Sequence, residues 1–349
     1  MKEGYRLLGD FIQPVDERNR DLKVDYLLGV SISKQFIPSI ANIVGTDLSS
    51  YKIVRTGQFA YGPVTSRNGE KISIALLQDK DCIISSSYTV FEVTDNERLD
   101  PEYLMLWFSR PEFDRYTRYM SHGSVREIFD WDELCKVELP VPSIEKQRGI
   151  VKAYNTITDR IELKRKINDN LEAVLAASHS KMFFSKDTSE HSKLGELMTF
   201  GNGKSRPKTD GPIPVYGGNG VLSYTDHHNI ENAVLIGRVG AYCGSVYLEQ
   251  GICWVSDNAI FAKSKITKDE FFDYFLLKRL NLFNHHVGTG QQLLTQEILN
   301  NIEVPKPVTE QIEFFNRKAA SVFETIFTNS REIIRLQELS DLLLSRLAG

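Results

Sequence analysis

The feature that most narrows what this chain can fold into is that much of it is written twice. Placed without gaps at an offset of 165, His122–Pro142 falls on Val287–Pro307. Gly123 then meets Gly288, Ser124 meets Thr289, Ile128 meets Leu293, Leu134 meets Leu299, and Val137-Glu138-Leu139-Pro140 meets Ile302-Glu303-Val304-Pro305. Looser matches precede these: Leu8-Gly9-Asp10 with Leu194-Gly195-Glu196, Cys82-Ile83-Ile84-Ser85 with Cys253-Trp254-Val255-Ser256, and Pro101-Glu102-Tyr103-Leu104 with Asp269-Glu270-Phe271-Phe272. A repeat on this scale defines the architecture before any motif does. The changing offsets predict two copies of one domain with different loop lengths.

The same offset continues into the segment after each Pro-x-Pro. Steps of three and four from Gln147 pass through Ile150, Tyr154, Ile157, Ile161, Lys164, Asn168, Leu171, Leu175, Ser178 and Met182. Adding 165 gives Ile312, Phe315, Ala319, Val322, Ile326, Asn329, Ile333, Leu336, Ser340, Leu343 and Leu347. Any amphipathic surface helix keeps this spacing for two or three turns. Over five heptads a straight helix drifts by ~20° per heptad and loses the stripe, so a period held this long predicts supercoiling. The two segments therefore read as a coiled-coil pair, with Lys164, Asn168 and Asn329 as polar layers that fix register. The pair is read as antiparallel, although periodicity alone fits either orientation. Ser143 or Thr309 is placed to cap each helix, with Glu145 or Glu310 in its first turn.

Within the globular copies, runs such as Lys52-Ile53-Val54, Cys82-Ile83-Ile84 and Ala233-Val234-Leu235-Ile236, punctuated by Gly, Asn and Pro, predict short strands. Tyr103–Phe108 and Phe271–Lys278 predict helices. The fold class expected is α+β: similar α/β domains over 1–143 and 187–307, long helices over 144–186 and 308–349, and a pseudo-twofold internal repeat.

A length of 349 residues predicts two domains. At 41% hydrophobic and 25% charged residues, the chain has the composition of a globular protein rather than a disordered or fibrous one. Its apolar stretches fall far short of the ~20 residues that span a bilayer, and Met1-Lys2-Glu3-Gly4-Tyr5 does not open a secretory signal. A cytoplasmic protein without a membrane partner is expected. Cys82, Cys135, Cys243 and Cys253 lack any CxxC or finger spacing and read as buried small hydrophobes, with no metal expected. The net charge of −4 is uneven: residues 144–186 carry nine Lys and Arg against five Asp and Glu, whereas 1–143 carry 17 against 22. That distribution permits phosphate contact without requiring it.

Enzyme motifs fail on inspection. Gly203-Lys204-Ser205 mimics the end of a phosphate loop, but Met198 stands where the leading glycine belongs. Gly201-Asn202-Gly203 and Gly288-Thr289-Gly290 lack the third glycine of a dinucleotide fingerprint, having Arg206 and Leu293 there. No Asn/Asp/Ser-Pro-Pro-Tyr/Phe tetrapeptide of an amino-methyltransferase occurs. His227-His228 and His285-His286 lack a carboxylate at useful spacing and read as exposed loop histidines. No catalytic residue is assigned, and the chain is expected to be noncatalytic and to bind no cofactor itself.

Taken in their duplicated order, these elements resemble one family, the specificity (S) subunits of Type I restriction-modification systems. The resemblance covers nearly the whole chain. It rests on the Leu-Gly-Asp and Leu-Gly-Glu openings, the Gly-Ser and Gly-Thr-Gly elements followed by Leu-Pro-Val-Pro or Val-Pro-Lys-Pro, Glu145-Lys146-Gln147 and Glu310-Gln311, and helices closing in Ser180-Lys181-Met182-Phe183 or Ser345-Arg346-Leu347. The second copy departs from the family pattern in ending at Gly349, with little tail to close a ring. The resemblance implies two target-recognition domains, each reading one half of a bipartite double-stranded DNA target. It also implies helices that set the unread spacer and dock two methyltransferase (M) subunits. Restriction (R) subunits would join through the complex, and S-adenosylmethionine and ATP with magnesium would sit on those partners.

Base edges are read by Arg, Lys, Asn, Gln, Asp or Ser on exposed loops, whereas phosphates need only charge or amide donors. In the second copy the candidates are Lys204, Ser205, Arg206, Lys208, Tyr216, Asn219, Arg238, Tyr242, Gln291 and Gln292. In the first they are Arg18, Asn19, Arg20, Tyr61, Arg67, Asn68, Ser124 and Arg126. Two alternatives stay open: a coiled-coil scaffold that binds no DNA, and a DNA-modifying enzyme whose active residues are scattered.

Overall fold

The computed structural model describes residues 4–39, 45–66, 68–122, 127–185, 190–288 and 290–348. The chain divides into two compact units, residues 1–163 with 333–349, and residues 164–332. Both cuts fall inside long helices, Ile144–Phe184 and Thr309–Ser345, so each unit includes part of each helix.

The first unit opens with β1 (Tyr5–Leu7), a tight turn at Leu8–Asp10 and β2 (Ile12–Val15). Strands β3 (Leu28–Val30), β4 (Phe36–Pro38), β5 (Lys52–Val54), β6 (Phe59–Tyr61), β7 (Ile74–Leu76), β8 (Cys82–Ile84) and β9 (Thr89–Val93) follow. Then come α1 (Pro101–Phe108), α2 (Pro111–Met120), α3 (Trp131–Cys135), β10 (Glu138–Pro140) and the start of α4 (Ile144–Phe184). The helices begin where their sequence says they should: Asp100 and Asp130 accept hydrogen bonds from the amides of Tyr103 and Glu133, and Pro101 fills the first turn of α1. An antiparallel sheet has the order β2-β9-β6-β7, while β1 pairs with β10, β3 with β4 and β5 with β8. Its core is aromatic. Phe59 stacks on Phe91 at 4.9 Å, and Phe108 meets both edge-on at 5.9 and 6.3 Å. Such pairs add ~0.5–1.5 kcal/mol beyond the burial of the rings themselves.

In the second unit, β11 (His191–Lys193), α5 (Leu194–Leu197) and β12 (Met198–Asn202) lead into β13 (Ile213–Gly217), β14 (Gly220–Thr225), β15 (Ile230–Gly237), β16 (Val246–Val255) and β17 (Ala259–Ser264). After these come α6 (Phe271–Arg279), α7 (Gln296–Asn301), β18 (Glu303–Pro305) and α8 (Thr309–Ser345). The sheet order is β12-β17-β15-β16-β13-β14, and β11 pairs with β18. Its first four strands repeat the order β2-β9-β6-β7; the β13–β14 hairpin, joined parallel to β16, has its counterpart in the β3–β4 hairpin, which meets β8 through a parallel bridge from Leu27 to Ile83.

The duplicated Leu-Gly motif has one physical cause in both units. Leu8 donates its amide to Val137 O at 2.8 Å, and Leu194 donates to Ile302 O at 2.9 Å. The following glycine lies against the next helix: a Cβ on Gly9 would come within 2.9 Å of Cys135 Cβ, and one on Gly195 within 2.5 Å of Asn300 Oδ1. Only glycine fits that approach.

Every seam position named from the sequence, Gln147 to Met182 and Ile312 to Leu347, is buried or half-buried. Burial also takes in the next residue along, at Val151, His179, Phe183, Asn316, Phe323 and Leu344, which the 3.5-residue register does not predict. The stripe is wider because these helices pack on the globular cores as well as along a seam. In the second unit α4 and α8 run antiparallel: Lys164 Nζ reaches Glu332 at 2.7 Å and Asn329 at 2.9 Å, Asn168 contacts Ile326, Asn329 and Ser330, and the His179 ring lies 5.3 Å from Phe315. In the first unit Val151, Leu344 and Leu347 share one core. The carbonyl of Ser143 accepts the first helical bond of α4, from Gln147. For α8 the expected cap is corrected by one residue: Val308 O accepts from Ile312, which leaves Thr309 inside the first turn.

Candidate nucleic-acid interface

The second unit gathers its sequence-predicted residues from distant strands. Gly237 ends β15 by donating its amide to Ser245 O at 2.8 Å, and Ser245 Oγ donates to Gly218 O at 2.5 Å, which ties the 238–244 loop to the β13–β14 turn. Arg238 N donates to Asn258 O at 3.0 Å, and Arg238 O accepts from Leu294 N at 2.9 Å. Gly240 N donates to Gln292 O at 3.0 Å. Arg238, Tyr242 and Gln292 thus share one loop cluster with Gly218 and its neighbour Asn219. Lys204 joins by another route: its amide donates to Val255 O at 3.0 Å, while Ser256 N donates to Tyr216 O at 2.8 Å.

The side chains suit a polyanion. Lys204, Ser205, Arg206, Lys208, Asn219 and Gln291 are exposed, and Tyr242 is 51% exposed. None of Lys204, Arg206, Lys208 and Arg238 makes an ion pair among the described residues, so their charge is available to phosphate or base acceptors. Tyr216 is half-buried and donates its hydroxyl to Glu249 at 3.0 Å, which commits it to the sheet. Burial pushes that phenol far above its ordinary range, with the Glu249 charge adding to the effect. Nothing in the local sequence singles out Asn258, Ser245 and Trp254 for this site. Asn258 and Ser245 hold the Arg238 and Gly218 loops, and Trp254 Nε1 donates to Lys204 O at 3.4 Å. These are tertiary contacts across tens of residues, with no local motif.

In the first unit two expectations of exposed readers are overturned. Asn19 is 1% exposed, and its side chain donates to Val24 O at 2.8 Å and accepts from Val24 N, bracing its own loop. Tyr61 is fully buried at the end of β6, between Phe91 and the neighbouring strand. Arg18 is half-buried and already engaged, to Asp16 at 2.7 Å and Ser50 O at 2.8 Å. Arg20 is exposed. Asn68 is half-buried and donates to Val64 O at 3.3 Å. Arg67, Ser124 and Arg126 lie outside the described residues.

The loop after β6 is nonetheless built like the loop after β15. Gly62 N donates to Ser73 O as Gly237 does to Ser245; Pro63 O accepts from Phe129 as Arg238 O does from Leu294; Thr65 N donates to Glu127 O as Gly240 does to Gln292. The bridges Val64 to Ile128 and His122 to Ile128 correspond to Val239 to Leu293 and Val287 to Leu293. By this correspondence Arg238 stands where the first unit has Pro63.

Lys204 donates its amide to a strand, so that amide is not available as part of a phosphate cradle. The expectation that the paired histidines lack a carboxylate is corrected at His227, whose Nδ1 contacts the carboxylate of Asp226, its chain neighbour. Hydrogen bonds from Thr209 and His227 hold that exposed carboxyl below its usual range. No helix among the described residues is long and apolar enough to cross a membrane.

Comparison with known proteins agrees with the duplicated architecture. The family model described as Type I restriction modification DNA specificity domain matches residues 39–173 and 186–342. The chain is 21% identical over 296 residues to the Type I restriction enzyme MjaIX specificity subunit of Methanocaldococcus jannaschii, covering 70% of this chain and 68% of that one. It is 25% identical over 154 residues to the HindI specificity subunit of Haemophilus influenzae, covering 42% of this chain and 32% of that one. Its fold is similar to that of a crystallised Type I restriction-modification S subunit from M. genitalium, with a TM-score of 0.64 at 15% identity over 99% of this chain and 96% of that one. With two family segments spanning most of its length, the chain belongs to the Type I restriction-modification DNA specificity family.

Proposed function

We propose that this chain is the noncatalytic DNA-recognition subunit of a Type I restriction-modification complex. Each globular copy reads one half of a bipartite duplex target. The two long helices, as an antiparallel coiled coil, set the spacer between halves and dock two methyltransferase subunits, through which restriction subunits join. S-adenosylmethionine and ATP with magnesium are taken by those partners, in the cytoplasm. The domains are 1–143 and 187–307, with 144–186 and 308–349 as spacer helices. The observation that carries this reading is the loop cluster of the second unit, where Arg238 and Lys204, without ion pairs among the described residues, and exposed amide side chains come together on a scaffold whose strand order occurs twice. Lys164 bonding to Asn329, its own counterpart at the repeat offset, supports a pseudo-twofold arrangement.

The test is to map methylated sites genome-wide in cells carrying the gene with and without its intact reading frame. A split motif that vanishes with the frame is expected. An unchanged methylome rejects the reading, as does S-adenosylmethionine-dependent methyl transfer by the purified chain alone. Four residues inserted near Lys164 or Asn168, about 6 Å of helix, should lengthen the preferred spacer by roughly 2 base pairs. An unchanged spacer would remove the helices from that role.

A further inference from the structure

We propose that Arg238 reads a guanine in the half-site bound by the second unit. The inference rests on the DNA-recognition reading above and names a residue and a base within it.

The main chain on both sides of Arg238 is pinned. Its amide donates to Asn258 O, its carbonyl accepts from Leu294 N and from Cys243 Sγ at 3.4 Å, and the flanking Gly237 and Gly240 amides are bonded to Ser245 O and Gln292 O. A side chain projecting from so constrained a backbone is presented with little loss of freedom on binding. Its Nε is buried without a hydrogen-bond partner, whereas the terminal nitrogens make no bond among the described residues, so they are the donors left for a ligand. A planar fork of two donors matches the O6 and N7 acceptors that guanine alone presents side by side in the major groove. The exposed Lys204, Arg206 and Lys208 make no ion pair among the described residues and can hold the flanking phosphates.

The duplicated scaffold supplies an internal control. The carbonyl bond and the two flanking amide bonds recur around Pro63 in the first unit, although a proline has no amide to match the one Arg238 donates to Asn258 O, so the loop closes without an arginine side chain at this place. The guanidinium is therefore surplus to folding, and the first unit must read its half-site through other residues.

The experiment compares methylation motifs in cells expressing the full wild-type chain, R238A and R238K, with binding of each purified chain to duplexes carrying each of the four bases at every position of the second half-site. For R238A we expect one guanine position to become indifferent to base, with cognate affinity lower by about 5- to 150-fold and the first half-site unchanged. R238K should keep affinity for unrelated DNA while losing much of that discrimination. A wild-type motif lacking guanine in the second half, or an R238A motif identical to wild type, overturns the assignment while leaving the recognition function intact. Absence of any wild-type motif would instead sink the parent reading. If R238A unfolds, as circular dichroism would show, R238K carries the test alone: undiminished preference for guanine over the other bases rejects the proposal.

Discussion

The two units solve one folding problem and differ in what they display. Among the described residues of the first unit, Arg18 is paired with Asp16, Arg55 with Glu17 and Asp81, Arg118 with Glu127, and Lys34 with the buried Asp114, while Arg20 and Lys71 make no ion pair. In the second unit Lys204, Arg206, Lys208 and Arg238 make no ion pair among the described residues. A common backbone frame can therefore carry cations already paired within the protein or cations whose charge awaits a partner. The frame itself, fixed by amides and carbonyls, constrains only a few of the side chains it carries.

The comparison breaks most visibly if the units are not independent. Exchanging residues 187–307 for the matching part of a relative should replace one half of the methylated motif and leave the other intact; a change in both halves would end the idea of separate readers. Next in size is the charge contrast. Substituting Lys204, Arg206 and Lys208 together by alanine should lower the slope of log affinity against log salt by about 3, and R18A with R20A by about 1, because Arg18 is already paired. Equal slopes in salt titrations would show the two faces to be alike.

Smaller effects concern stability, read by denaturant or thermal unfolding of the full chain. In the first unit the buried Ile161 lies on the α4 stripe, and I161A should cost about 2–5 kcal/mol. In the second, N329A strands Lys164 and Asn168 without their shared partner and should cost about 1–3 kcal/mol, the loss of buried hydrogen bonds. The smallest test concerns Asp273, 1% exposed on α6, where the first copy has Met105. Burial, reinforced by the charge of Glu270 and partly opposed by Ser264, pushes its carboxyl from 3.8 up to about 8. The folded state thus holds a proton that the unfolded chain releases, and wild-type stability should fall as pH rises from about 4 to about 8. D273M should remove that slope and raise Tm at pH 8 by roughly 2–12 °C. An unchanged pH profile would show the carboxyl to be ionised in the folded state.

Periodic features were legible in the sequence and features of tertiary closure were not. The helices, their polar layers and the repeat follow from spacing, which acts directly on which side of a helix is apolar. The broadened stripe at Val151, His179, Phe183 and Phe323 escaped because a heptad register describes one neighbour, and these helices have two. Asn19 and Tyr61 misled for a related reason. A polar residue in a loop and an aromatic beside glycine resemble readers, yet one braces a turn and the other ends a three-residue strand inside the core. Arg238, Tyr242 and Lys204 were named from chemistry, whereas their convergence depends on Ser245, Asn258 and Val255, which chemistry alone does not single out.

The bond between Lys164 and Asn329 has a consequence for how such a chain can diverge. In an assembly of two identical subunits, a residue on the symmetry axis faces itself, and a lysine there would meet a lysine. Fusing both halves into one polypeptide lifts that restriction. One side can hold a cation and the other an amide that accepts from it, with Glu332 as counter-charge. Single-chain duplication thus lets two positions that are equivalent in the repeat carry different partners in one bond, a pairing that two identical helices cannot encode, and each copy can then change without being mirrored by the other.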